Sequence, residues 1–427
     1  MNIAIIGGGY IGVVIASGLV SRGLKITIIE TNPDKINSFK LGKSGINEPG
    51  IDALFQKGIQ AGQIVIKVNI QDIGEPEVVL VTVGTPLSFD GKFDISGLEL
   101  VFQELSQVLI KQTLIILKST VEPGTTKKLL EKFFKNSEHS ISYCPERLSE
   151  GNALYEFNTL PIIVGGTDNT SLTNTTDFWE NLGFETIKIS DSTSAELIKL
   201  ASNAWIDLNI SFAHDLAKIC DQIYVDVIEV IKAANTLKKG SSYVNILTPS
   251  IGVGGYCLTK DPIFLSNFAK NVGINLVVTD AARQINDESP EYLFKKLLLV
   301  TDLTSAKVLI LGISYKDNTG DIRSSPVIKF IDLLKTAKCE IKWFDPLAQE
   351  MPKVKLFDSR ILVLDNSPDW DVVVIGANHD CIEQTKLENL LKLLKPNGIV
   401  VDGRKFYTKV EIEKLRNYGI QYIGVGR

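Results

Sequence analysis

The residues in this chain best placed to do chemistry lie together in Gly252-Val253-Gly254-Gly255-Tyr256-Cys257-Leu258-Thr259-Lys260-Asp261-Pro262. A cysteine follows a glycine run, and a lysine and an aspartate come three and four residues after it. Glycine lets a backbone approach a ligand closely. A nearby cation favours the thiolate, the nucleophilic form of cysteine. A buried structural cysteine, the usual state of a free thiol, is compatible with the same residues, so the loop by itself leaves both readings open. Cys144, Cys220, Cys339 and Cys381 lack such surroundings and read as structural. Scattered cysteines, odd in number and with no pair at zinc spacing, match a reducing cytoplasm.

A second constellation stands near the start. Gly7-Gly8-Gly9-Tyr10-Ile11-Gly12 fits G-x-G-x-x-G between an apolar strand and a helical pattern, the context that motif requires. Gly7 permits the tight turn, Gly9 lets the backbone approach a pyrophosphate, and Gly12 permits close helix–strand packing. The helix N-terminus adds N–H donors. The next strand ends in Glu30, whose carboxylate would accept from both ribose hydroxyls and repel a 2′-phosphate, which favours NAD over NADP. A glycine turn without cofactor is the plainer reading of the glycines alone. Elsewhere, Lys199 and Asn203 are four apart in a helical pattern and share a face. Thr120 follows a strand near the carboxyl edge, where α/β proteins bind ligands. Glu146 and Glu150 flank Arg147. Each of these, taken singly, also describes an ordinary solvated surface.

The elements that must position these residues alternate. Strand-like runs at 2–6, 25–29, 78–83, 114–118 and 162–164 are separated by helical patterns such as 12–22, which implies a parallel sheet with right-handed crossovers. From 194 to 234 no strong breaker occurs, and Leu197, Leu200, Ala204, Leu208, Phe212 and Leu216 keep helical spacing. The pattern predicts one long helix or two abutting ones, suited to a hinge or a dimer surface, followed by a loop over 240–262. Strands at 307–311, 340–344, 371–375 and 398–401 make a second α/β domain. The fold class is therefore α/β, with two such domains around a long-helix region.

Composition narrows the function classes. The 427 residues carry 45 Lys+Arg against 50 Asp+Glu, a net charge of −5, and 44% are hydrophobic. So much apolar residue excludes disorder as the main state. The mildly acidic balance argues against nucleic acid or an anionic membrane as the main partner. No run approaches the roughly 18 apolar residues of a membrane span, and the opening Met1-Asn2-Ile3-Ala4-Ile5-Ile6 reads as a first strand, not a leader. A cytoplasmic location is the expectation.

Taken in order, these pieces resemble the UDP-glucose/GDP-mannose dehydrogenase family, the nucleotide-sugar 6-dehydrogenases. The matching stretches are the glycine turn with Glu30 and Lys35, Val81-Thr82-Val83-Gly84-Thr85-Pro86, Lys118-Ser119-Thr120-Val121-Glu122-Pro123-Gly124-Thr125, and Pro145-Glu146-Arg147 through Gly151. Glu196 to Asn203, the Cys257 loop, Gly312-Ile313-Ser314-Tyr315-Lys316 and Asp321-Ile322-Arg323-Ser324-Ser325-Pro326 continue the match. The resemblance implies a Rossmann-type NAD domain over 1–192, a central helical dimerisation region with the cysteine loop over 193–299, and a UDP-sugar domain over 300–427. It implies a homodimer through the central helix. It also implies oxidation of a sugar C6 alcohol to a carboxylate with two NAD, through a Cys257 thiohemiacetal and thioester.

By the same resemblance, Lys199 stabilises the developing alkoxide and can take its proton, Asn203 holds the same oxygen, and Asp261 positions Lys199 or a water. Glu146 and Thr120 orient the hydrolytic water, with Glu146 preferred as base. Gly7, Gly9, Ile11, Gly12, Glu30, Lys35, Thr85, Thr120, Glu150, Lys260 and Arg323 would contact the cofactor. Glu146, Arg147, Leu148, Lys199, Asn203, Leu247, Ser250, Gly254 and Lys316 would contact the sugar nucleotide. The family's usual proline is Thr259 here, and His214-Asp215 replaces a common Asn-Glu. Lys238-Lys239 stands where relatives place an arginine that reaches a neighbouring subunit, and lysine cannot reproduce its bidentate fork. Arg147 favours a UDP-N-acetylhexosamine, whereas Tyr256 and Glu150 look like the glucose type; the balance leans to the acetamido sugar. A single-step hydroxyacid or 6-phosphogluconate type dehydrogenase would lack the cysteine loop, and a non-catalytic nucleotide-sugar sensor would have lost Cys257, Lys199 or Asp261.

Overall fold

The computed structural model describes residues 1–86, 93–348, 359–364 and 368–427. The chain divides into two compact units, Met1–Ser202 with Asn267–Val272, and Asn203–Ser266 with Gly273–Arg427.

The first unit is built on an eight-stranded sheet in the order β3-β2-β1-β4-β5-β6-β7-β8. Its strands are β1 (Asn2–Ile6), β2 (Lys25–Ile29), β3 (Ile64–Lys67), β4 (Val78–Val81), β5 (Leu114–Leu117), β6 (Ser140–Tyr143), β7 (Ile162–Gly166) and β8 (Thr186–Ile189). Its helices are α1 (Tyr10–Val20), α2 (Pro33–Lys40), α3 (Ile51–Gln60), α4 (Ser96–Val108), α5 (Thr125–Leu129), α6 (Ala153–Thr159) and α7 (Asn169–Asn181). Side chains alternate between the faces of a strand. Accordingly Ile3, Ile5, Ile26, Ile28, Leu80 and Ile116 pack with α1, α3, α6 and α7, while Ala4, Ile6, Val79, Val81, Ile115 and Leu117 pack with α4 and the segment after it. Burial on both faces explains why these strands read as continuous apolar runs.

The sheet departs from the all-parallel expectation at one place: β7 pairs antiparallel with β6. After β6 the chain stays at the carboxyl edge through residues 144–152. The seven-residue α6 spans only ~10 Å, too short to recross the sheet, so β7 enters from that same edge.

The 194–234 pattern resolves into α8 (Ser192–Ile223) and α9 (Val227–Ala234). Tyr224 turns left-handed at φ 59°, and the Val225 N–H bonds back to the Cys220 carbonyl at 3.0 Å, a Schellman closure. Asp226 then caps α9. The evenly spaced apolar face is buried only in part, at Leu200 and Ala204, with Leu208 and Leu216 half-buried. Leu197 and Phe212 are exposed, whereas Glu196, Asp207, Ser211 and His214 are buried.

In the second unit, a small hairpin, β9 (Lys238–Lys239) with β10 (Ser242–Tyr243), occupies the start of the expected loop. Helices α10 (Asp261–Asn271), which runs across the division into units, and α11 (Val277–Leu298) follow. A parallel sheet in the order β12-β11-β13-β14-β15 comprises β11 (Lys307–Leu311), β12 (Glu340–Phe344), β13 (Trp370–Ile375), β14 (Leu394–Asp402) and β15 (Gln421–Gly424). Helices α12 (Pro326–Thr336), α13 (Leu387–Leu390) and α14 (Lys409–Asn417) complete it. Among the described residues no helix is long and apolar enough to cross a membrane.

Candidate active site

The glycine turn behaves as its spacing demands. Gly7 sits at φ 105°. A Cβ on Gly12 would lie 2.0 Å from the Gly7 carbonyl oxygen, whereas a Cβ on Gly9 would meet nothing within 4 Å. Gly12 therefore serves the turn's own packing, and Gly9 leaves space open at the N-terminus of α1, where Ile11 is half-buried. Glu30 is buried at the end of β2. It accepts from the Gly8 N–H at 3.1 Å through Oε2, and from the Thr31 and Asn32 N–H groups at 2.8 and 2.9 Å through Oε1. Lys35 Nζ lies 3.5 Å from Glu30 and 3.3 Å from the Gly8 carbonyl. An open helix N-terminus beside a carboxylate locked to the same turn fits a dinucleotide's pyrophosphate and ribose.

Thr85 Oγ1 donates to the Thr120 carbonyl at 2.6 Å, which ties the ends of β4 and β5 together. The segment after β6 is held at nearly every residue. Lys118 Nζ lies 3.3 Å from Glu146 Oε2 and donates to the Cys144 carbonyl at 3.3 Å. Glu146 Oε1 accepts from the Arg147 and Leu148 N–H groups at 2.8 and 3.1 Å. The Arg147 guanidinium donates to the Pro161 carbonyl, and Leu148 packs on the core. Ser149 is bound by Glu156 through N–H and hydroxyl. Buried Glu48 accepts from the Gly151 and Ala153 N–H groups at 2.8 and 2.6 Å and from Tyr10 Oη at 2.5 Å. Glu48 thus joins the glycine turn's helix to the segment that carries Glu146 and half-buried Glu150.

On α8, Glu196 accepts from the Gly124 N–H at 2.5 Å and the Thr126 N–H at 2.7 Å. It fastens the helix to the stretch after Thr120, and burial pushes its carboxyl pKa up. One turn on, Lys199 is buried at 7% exposure, and its ammonium makes no hydrogen bond or ion pair with the described residues. A buried cation without a fixed partner is available to an oxygen that acquires charge during a reaction.

In the second unit, Cys257 is exposed. Its carbonyl accepts the N–H groups of Lys260 and Asp261 at 3.1 and 2.8 Å, so the thiol opens the turn that leads into α10. Asn203 Nδ2 donates to buried Asp261 Oδ2 at 2.5 Å. Lys260 lies over the Tyr256 ring at 4.2 Å, and Arg323, bonded to Asp321, lies over the same ring at 5.3 Å. The glycines of this loop have a reason the sequence did not show. A Cβ on Gly252 or Gly254 would stand 2.7 Å from Pro326, and one on Gly255 2.7 Å from Tyr315; the loop is pressed against the C-terminal domain's own residues. The stretch before it is clamped by side chains no motif marked. Asn209 Oδ1 accepts from the Leu247 N–H at 2.7 Å, Asn235 Oδ1 from Ile246 at 2.8 Å, and His214 Nε2 from Ser250 at 3.1 Å. Lys316 is half-buried, and Gly254 is buried.

The remaining cysteines divide. Burial pushes the Cys144 thiol up to about 11 and also raises the Cys220 and Cys339 thiols. Cys381, expected to be structural, is exposed instead. It follows Asp380 in the loop after β13, where little packs over it.

Sequence reasoning missed Glu48, Asp207, Arg283 and Asn286. The one available signal was Asp207 itself. It lies three and seven residues after Ala204 and Leu200, in buried helical register.

Residues 1–182 match the NAD binding domain of the UDP-glucose/GDP-mannose dehydrogenase family, residues 193–288 its central domain and residues 309–409 its UDP binding domain. A UDP-N-acetyl-D-mannosamine dehydrogenase of Methanococcus aeolicus is 31% identical over 437 residues, spanning 100% of this chain and 96% of the relative. The structure of a UDP-D-ManNAc dehydrogenase from Pyrococcus horikoshii is similar with a TM-score of 0.86 at 27% identity, covering 100% of this chain and 99% of the other. A UDP-glucose dehydrogenase from Pyrobaculum islandicum gives a TM-score of 0.87 at 26% identity, covering 100% and 97%. With likeness running end to end over all three of its domains, the chain belongs to the UDP-glucose/GDP-mannose dehydrogenase family, and it is an NAD-dependent nucleotide-sugar dehydrogenase.

Proposed function

We propose that this enzyme oxidises the C6 hydroxyl of a UDP-2-acetamido sugar, N-acetylmannosamine foremost, to the carboxylate through a covalent adduct on Cys257. The observation that carries the reading is the exposed Cys257 at the head of a turn whose other end, Asp261, is bonded to Asn203. Bound NAD supplies the hydride acceptor for both oxidations, two per sugar: first from the alcohol carbon, then from the thiohemiacetal carbon. The Lys199 ammonium stabilises the oxygen as charge develops, with Asn203 donating to the same atom, and a water held by Asp261 takes the hydroxyl proton. The Cys257 sulfur gives up its proton to solvent and bonds to the aldehyde carbon, the carbonyl π pair moves to oxygen, and the water held by Asp261 returns a proton there. Loss of hydride from that carbon, with the hydroxyl proton passing again to the water held by Asp261, leaves a thioester. Glu146, with Thr120 beside it, takes a proton from water as the oxygen attacks; the C–S bond breaks and the acid leaves with the thiol restored.

Lys35, Glu30, Thr85, Glu150, Lys260 and Arg323 hold the cofactor in this reading. Leu247, Ser250, Gly254 and Lys316 hold the UDP part, with Arg147 and Leu148 at the sugar. Arg147 and the names of relatives at 29–31% identity support the acetamido sugar. UDP-glucose is the second reading, supported by Tyr256, by Glu150 and by a Bacillus subtilis UDP-glucose 6-dehydrogenase at 28% identity. Two copies pair through the exposed Trp205, Phe212, Ile219 and Ile223 of α8 in a cytoplasmic enzyme.

A panel of UDP-sugars scored by NADH per sugar tests the whole scheme. Two NADH per UDP-N-acetylmannosamine are expected, and Cys257→Ser should stop acid formation. One NADH per sugar, or undiminished acid from that variant, defeats the covalent route. A higher kcat/KM for UDP-glucose installs the second reading.

A further inference from the structure

Arg283, on α11, is buried at 7% exposure, far from any motif in the chain. Its Nη1 is paired with Asp207 Oδ1 of α8, which is fully buried, and the same nitrogen donates to the Leu258 carbonyl at 3.1 Å. Nη2 bonds Asp287 Oδ1 at 3.1 Å. Asn286 Nδ2 donates to both the carbonyl and Oδ1 of Asp207 at 2.7 Å. Leu258 is the residue after Cys257. Asp207 lies one turn beyond Asn203, which holds Asp261. One stretch of α8 therefore grips the reactive loop twice, directly at Asp261 and through Arg283 at Leu258.

Burying two opposite charges is rarely the most stable way to fill space, because desolvation offsets their attraction, and apolar side chains of similar volume often do as well. This pair is not arranged for stability alone. Asp207 Oδ2 and Arg283 Nε have no hydrogen-bond partner among the described residues. What apolar residues could not supply is a rigid donor to a loop carbonyl.

We propose that Arg283, fixed by Asp207, is a positioning residue for the Cys257 thiol, acting through the Leu258 carbonyl. This rests on the reading of Cys257 as nucleophile. Asp207→Leu with Arg283→Met replaces the pair by apolar bulk and removes the donor while leaving no buried unpaired charge, since Asp287, which loses Arg283, is exposed.

The double variant should unfold within a few degrees of the parent and bind the sugar nucleotide with little change in KM, while kcat for acid formation falls about 10- to 100-fold, as misplacement of a reacting group does. Iodoacetamide labelling resolved by peptide should change at Cys257 relative to exposed Cys381. A folded double variant with parental kcat and a parental Cys257-to-Cys381 labelling ratio overturns the proposal. If the double variant does not fold, Arg283→Lys decides. It keeps the buried charge but not the fork, so lowered kcat at constant KM supports the proposal and unchanged kcat rejects it. Acid formation by Cys257→Ser would instead sink the nucleophile, and the labelling ratio would still report the loop's position.

Discussion

His214 should make this protein acid-labile in a defined window. The Ser250 N–H donates to Nε2, which requires a lone pair there and places the ring proton on Nδ1, facing Asn286 Oδ1 at 2.9 Å and Ser289 Oγ at 2.8 Å. Burial holds its pKa down from 6.5 to about 4. Below pH 6.5 the unfolded chain takes up a proton that the native ring refuses. The stabilisation is thus complete above about pH 6.5 and is lost as pH falls toward 4. A gap of that size is worth about 1 kcal/mol at pH 5.5 and about 3 kcal/mol at pH 4. His214→Gln keeps an acceptor for Ser250 and removes the titration. Urea unfolding of both proteins at pH 7.5, 5.5 and 4.5 isolates the ring, because every other titrating group is common to the two. The parent should lose about 1 kcal/mol more than the variant by pH 5.5 and between about 2 and 3 kcal/mol more by pH 4.5. Parallel pH dependence would refute the assignment of a neutral, locked imidazole. The same protonation removes the acceptor at Ser250, so the sugar-nucleotide KM should rise in acid for the parent before it does for the variant.

Two further substitutions separate turn packing from cofactor contact. Gly12→Ala should destabilise the protein and abolish NAD binding together, because its Cβ would overlap the Gly7 carbonyl, whereas Gly9→Ala should leave the melting temperature unchanged and weaken NAD alone; equal Tm losses would contradict that division. Glu30→Ala should weaken NAD binding by about 2 kcal/mol, roughly 30-fold, and narrow the preference over NADP; unchanged discrimination in a titration would displace Glu30 from the ribose.

The glycine turn, the long strands and the cysteine loop were legible because each has a local cause. A 2.0 Å overlap at Gly12 admits one residue type, and a strand covered on both faces must be apolar. The strands Ser140–Tyr143 and Thr186–Ile189 were not legible, since Ser-Ile-Ser-Tyr and Thr-Ile-Lys-Ile show no apolar run; their places come from neighbours in the sheet. The reversal of β7 came from the length of α6, a property of the connection. The loop glycines were assigned to ligand approach, and the structure finds Pro326 and Tyr315 against them. Sequence distances of 60 to 74 residues hid those contacts.

The side chains whose contacts were hidden in the sequence share a physical character. Glu48, Glu196, Asp207, His214 and Arg283 are all buried and all bind backbone or another charge across a long sequence separation. Nothing in a carboxylate's immediate neighbours tells whether it faces water or a distant amide. Burial without partners would cost each of them several kcal/mol, so their presence in the interior is itself the record of a geometric requirement. The motif residues supply the reactive groups. A thioester route needs the sulfur, the sugar carbon and a proton-transfer group aligned to within fractions of an ångström. That alignment must come from residues whose visible role is to hold a carbonyl or an N–H, and Arg283 at Leu258 and His214 at Ser250 are among those that grip the loops flanking the thiol.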